Sequence, residues 1–155
     1  MNAVRRSILG IILIFSIVGI IVIGANSLNL MNDITHPQIL MDKSEYENAI
    51  RDNYSFESVS LDQDLLSLDI SYSGGCASHE FSLIGSGDFM ESYPVQTTIV
   101  LSHEDNDDSC ESLITETLVF DLTPLKELYI DLYSESSGTI IIHLLGWDNS
   151  ISYEY

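Results

Sequence analysis

The chain has 155 residues, with 24 acidic side chains against five basic ones and a formal net charge of −19 at pH 7. All 24 acids lie beyond Ala25, where only Lys43, Arg51 and Lys126 oppose them, a formal −21 over the last 130 residues. Such a charge excludes nucleic acid and anionic lipid surfaces as partners. It admits a protein partner or a cation, and it equally fits a plainly solvated surface.

Residues 1–7 carry Arg5 and Arg6, and residues 8–25 carry no charge at all. Eighteen helical residues span about 27 Å, close to the thickness of a bilayer's hydrocarbon core. The next cation is Lys43. The positive-inside rule then predicts a cytoplasmic tip (1–7), a single-pass transmembrane signal-anchor (8–25) and an extracytoplasmic remainder. The alternative is a secreted protein, cleaved after Ile23-Gly24-Ala25. The apolar run exceeds the 7–15 residues usual in a signal peptide. No cysteine follows it, so a bacterial lipid anchor at that point is excluded.

Residues 26–57 read as a stalk containing a short helix. Ser44 and Glu47 have capping-box spacing, and Tyr46, Ala49 and Ile50 share one face of a helix over 43–52. Asn53-Tyr54-Ser55 is an N-glycosylation sequon, with Asn53 as the acceptor on the exported side.

Residues 58–155 read as an acidic β domain. Leu66, Leu68, Ile70 and Tyr72 alternate with polar neighbours, the period of a half-buried strand. Gly74-Gly75, Gly85 to Asp88, Ser136 to Gly138 and Asp148-Asn149 are turns. The intervening runs are strands, among them 79–84, 95–102, 112–120, 129–133, 139–145 and 150–155. Thr123 is placed to cap a helical turn with Pro124 in its first position. Trp147 is a core or rim anchor. The expected fold is mainly all-β, an antiparallel β-sandwich or open barrel with one short N-terminal helix, preceded by the transmembrane helix.

The two cysteines, Cys76 and Cys110, each have a histidine a few residues away, His79 and His103. If strands 79–84 and 95–102 are antiparallel neighbours, His103 lies near His79, and all four residues gather at one end of the domain. Three chemistries fit that gathering. One is a structural Cys76–Cys110 disulfide, as expected in an exported domain. A second is a Cys2His2 site made by Cys76, His79, His103 and Cys110, suited to zinc or copper. The third is a cysteine nucleophile activated by His79 or His103, although no local signature of such enzymes surrounds Cys76.

Several of these residues also carry a resemblance. Ser73-Gly74-Gly75-Cys76-x-x-His79-x-Phe81, Leu101-Ser102-His103, Asp108-Ser109-Cys110-Glu111 and Phe120-Asp121-Leu122-Thr123-Pro124-Leu125 resemble a group of small exported prokaryotic proteins. The resemblance covers about residues 67–125. It implies a shared β domain and brings no activity with it.

The acidic loop offers calcium ligands. Asp105, Asp107, Ser109 and Glu111 stand at positions 1, 3, 5 and 7 of an EF-hand-like count, with Glu116 at 12. Cys110 occupies the position that requires glycine, so the expectation is a weak surface calcium site or a solvated hairpin tip. The chain has no phosphate loop, dinucleotide fingerprint, nucleophile elbow or zinc-protease motif. The functional expectation is a membrane-anchored binding or structural module, with a metal-binding or thiol-active exported protein as the alternative.

Overall fold

The computed structural model describes residues 35–155. The expected tip (1–7), anchor (8–25), cleavage point at Ala25 and start of the stalk lie outside the described residues. Among the described residues, no helix is long and apolar enough to cross a membrane.

The elements follow in the order β1 (Leu40–Met41), α1 (Lys43–Glu47), β2 (Ser55–Asp62), β3 (Leu65–Gly74), β4 (Glu80–Gly85), β5 (Val95–Glu104), β6 (Ser112–Asp121), α2 (Thr123–Tyr133), β7 (Thr139–Leu144) and β8 (Ser150–Glu154). They form a three-stranded sheet, β2-β3-β6, and a five-stranded sheet, β1-β4-β5-β7-β8. The all-β expectation holds. The alternation read at residues 66–72 is seen in β3, where Leu66, Leu68, Ile70 and Tyr72 are buried. They pack with Ile99 and Leu101 of β5, Ile140 and Ile142 of β7, and Tyr153 of β8 in one core between the sheets. In the middle of β5, Ile99, Val100 and Leu101 are all buried, as expected of a strand covered on both faces.

The expectation of a purely antiparallel sheet is corrected. β1 lies parallel to β4, and β5 parallel to β7. Parallel neighbours need a crossover of a dozen or more residues. Here the crossovers run through the other sheet: β2 and β3 intervene in the first, and β6 with α2 in the second. A long helix is therefore unnecessary.

Four local expectations also change. Residues 129–133, read as a strand, are the last turn of α2. Leu122, Leu125 and Tyr129 recur at three- and four-residue spacing, so the helix buries one stripe on the core. Its first turn is closed by Asp121, whose Oδ1 accepts from Thr123 N at 2.8 Å, and not by Thr123. At α1 the cap is Asp42, which accepts from Glu45 N at 3.0 Å, in place of Ser44. The helix stops at Glu47. The following residues run beside β5 instead, with His103 N donating to Ile50 O and Asp52 N to His103 O.

The stalk reading is corrected for the same reason. Ile39 is buried, β1 pairs with β4, and Ile39 N and Asp121 N bond across to the neighbouring segment. The fold thus begins well before residue 58. Trp147 is half-buried and meets Phe56 edge-on at 6.1 Å, a rim anchor as expected.

Candidate functional site

The four residues singled out at the two cysteines do come together. β4 pairs with β5 so that Phe81 faces His103, which puts His79 two residues beyond that pair. Cys76 and Cys110 are joined as a disulfide, with Cα atoms 5.8 Å apart. Gly75, at φ +119, turns the chain out of β3 in a conformation that glycine adopts without strain. At Gly74 a Cβ would lie 2.5 Å from His79 Nε2, so any side chain there would have to displace the buried imidazole.

Asp108 organises this end, and sequence reading gave it no role. Its Oδ2 accepts from the backbone N–H groups of Gly75, Cys76 and Ala77 at 2.8, 2.9 and 2.8 Å. Its Oδ1 accepts from Cys110 N at 2.8 Å. The N–H of Ala77, then those of Cys110, Cys76 and Gly75, hold the carboxyl far below the usual carboxylate range, against the opposing effect of burial. The available signal was an aspartate two residues before a cysteine, opposite a Gly-Gly turn that leaves several N–H groups unpaired.

The histidines continue the network. His79 Nε2 lies 3.4 Å from Asp108 Oδ2, and its Nδ1 lies 2.8 Å from His103 Nε2. His103 Nδ1 lies 3.1 Å from the carbonyl of Asp52. The side chains of His79 and Asp108 are 2% and 0% exposed. A carbonyl only accepts, so His103 Nδ1 donates to the carbonyl of Asp52. Phe81 stacks on His103 at 4.4 Å and Tyr72 covers His79 at 4.5 Å, which closes the row to solvent.

Chemically this end is saturated. Both sulfurs are bonded to each other, which removes the two thiolates from the Cys2His2 set and the nucleophile from the thiol reading. The Asp108 oxygens are filled by N–H donors. The arrangement is a clasp that ties β3, β4, β5 and the acidic loop together.

The calcium residues divide. Asp105 and Asp107 share a shallow cleft of about 250 Å³ with Asp52 and Glu104, while Ser109 and Glu111 lie off it. Asp105 Oδ1 is already used, accepting from Asp107 N at 2.9 Å. Asn53 is exposed.

At the opposite end of β5, about 26 Å from His103 by strand rise, a pocket of about 490 Å³ opens between the start of β5, the end of α2 and the start of β7. Its walls include Tyr93, Tyr129, Tyr133 and Glu135, with Gly138 and Thr139 on the β7 side. Tyr129 and Tyr133 are one helical turn apart and stack at 4.7 Å, with Phe89 set edge-on to both at 5.5 and 6.0 Å. Tyr93 is fully exposed. Gly138 permits the close approach of Tyr155, whose hydroxyl lies 3.1 Å from where a Cβ would stand and is buried without a partner among the described residues. None of these pocket residues was singled out from the sequence. The strand reading of residues 129–133 hid the stacked tyrosines.

No family model matches the chain, and no curated protein matches it. Solved structures do. A NigD-like immunity protein from Bacteroides caccae is similar at TM-score 0.51 and 17% identity, over 77% of this chain and 63% of that one. The fold of this chain is shared with that protein. A candidate toxin-related protein from Parabacteroides distasonis is similar at TM-score 0.48 and 16% identity, over 77% of this chain and 61% of that one. A protein of unknown function from Bacteroides vulgatus follows at TM-score 0.46 and 8% identity, over 78% and 56%. The chain spans less than two thirds of the length of each.

Proposed function

We propose that this chain is a membrane-tethered, extracytoplasmic β-sandwich that acts as a binding module and takes its ligand in the tyrosine-walled pocket. The observation that carries the reading is the contrast between the two ends of β5. At one end the polar groups around Cys76, Asp108, His79 and His103 are consumed by one another. At the other, a pocket of about 490 Å³ falls in the size range of small-ligand sites and is lined by three tyrosines with a few polar groups. The disulfide supports an oxidising compartment. The uncharged run at 8–25 supports the tether.

The test is a ligand screen read by amide chemical shifts on the full chain. Shifts clustered at residues 93–95 and 129–139 are expected. Shifts confined to other surfaces, or none with any compound, would refute the reading.

A further inference from the structure

We infer that the tyrosine-walled pocket, read above as the binding site, takes an organic cation, an ammonium group carrying alkyl substituents. Three features of the pocket converge on that class.

The first is its rings. Tyr93, Tyr129 and Tyr133 line one cavity, and the π-face of an aromatic ring attracts a cation within about 6 Å of its centre. Alkyl substituents make the cation weakly hydrated, so it gives up water readily and gains apolar contact with the same rings.

The second is charge. Glu135 is the charged residue in the pocket wall, and no lysine or arginine lines it. The residues beyond Ala25 carry a formal −21. A carboxylate or phosphate ligand would enter against that field, and a neutral ligand would make no use of it.

The third is the helix. α2 runs for eleven residues and ends at Tyr133, in the pocket wall. The C-terminal end of a helix carries partial negative charge, which a basic side chain in the last turn commonly offsets. Here the last turn holds no basic residue. It holds Asp131, and Glu135 follows two residues after Tyr133. The C-terminal end of the helix therefore lies at the pocket wall with no basic side chain in its last turn, a charge that a bound cation would offset.

The experiment uses choline as the probe, with 3,3-dimethylbutan-1-ol as its neutral carbon analogue of the same shape. Both are titrated onto the full chain, and binding is followed by ring and amide NMR signals. Choline is expected to bind about tenfold or more tighter than the alcohol, the upper part of the cation–π range. Its methyl protons should show contacts to the rings of Tyr93, Tyr129 and Tyr133. Tyr133→Phe keeps the ring face and should keep binding, while Tyr133→Leu should lose most of it. Glu135→Gln, at an exposed position, should weaken binding about threefold and flatten its salt dependence. It carries the test if Tyr133→Leu misfolds. A trimethyl-lysine peptide serves as a second source of the same group: tighter binding than choline would place the cation on a protein partner, and weaker binding on a free small molecule. Equal affinity for choline and the alcohol would overturn the cation assignment and leave the binding module standing. Failure of choline while neutral compounds still shift residues 93–95 and 129–139 would do the same. If no compound shifts those residues, both readings fall.

Discussion

Removal of the Cys76–Cys110 bond is the perturbation whose size follows most directly from the structure. The two cysteines are 34 residues apart in sequence. Chain-entropy reasoning gives a loop of that length about 3.8 kcal/mol at 25 °C. For a domain near 120 residues, about 4 °C per kcal/mol converts this to a fall in melting temperature of roughly 15 °C. A second loss comes with it. Cys76 and Cys110 both donate backbone N–H groups to Asp108, so freeing the two loops loosens the clasp that the bond holds shut. The Cys76→Ala, Cys110→Ala and double variants should melt within about 3 °C of one another, because the bond is gone in all three. Reductant should lower the melting temperature of the parent and leave the double variant unchanged. Intact mass after alkylation without reductant should show no modified cysteine in protein taken from its native compartment. Two alkylated thiols, or a chelator that destabilises as strongly as cysteine loss, would refute the reasoning and revive the four-ligand metal reading.

Legibility in the sequence followed the range of the physics involved. β3 was readable because its alternation is local and its partners on both sides bury the same face. The disulfide end was readable because antiparallel pairing of residues 79–84 with 95–102 sets His103 near His79, and the observed partner of His103 is Phe81, two residues along the same strand run. α2 is hidden because Tyr129 to Tyr133 is rich in residues that favour strands, a local preference that the stripe of Leu122, Leu125 and Tyr129 overrides only once it packs on the core. The parallel pairs were hidden for a different reason. Whether β6 enters the sheet of β5 or crosses to the other one is decided by packing between sheets, which no local pattern reports. Asp108 was passed over because its partners are backbone N–H groups that the sequence does not display. The pocket was illegible for both reasons together. It needs α2 as a helix and β7 parallel to β5 before Tyr93, Tyr129 and Tyr133 meet.

The remaining predictions concern placement, ions and acid. The proposed topology, with Arg5 and Arg6 inside and residues 26–155 outside, predicts that protease added to intact cells degrades a C-terminal tag; a tag protected until the membrane is broken would reverse that topology. Millimolar calcium and magnesium should raise the melting temperature equally by screening the acidic surface. A gain with calcium alone that disappears in Asp107→Asn would instead make the cleft of Asp105 and Asp107 a calcium site. Asp108→Asn should destabilise the protein at pH 7, because the amide's nitrogen cannot accept from the N–H groups now shared between the two carboxylate oxygens. The folded-state pKa of Asp108 is depressed. Its contribution is therefore complete above the unfolded value near 3.9 and drains away as pH falls below it. Urea unfolding at pH 7 and at pH 3 should show the gap between parent and variant narrowing in acid. A gap of equal size at both values would mean that the carboxylate's shape, and not its charge, holds the loop of Cys76 to the loop of Cys110.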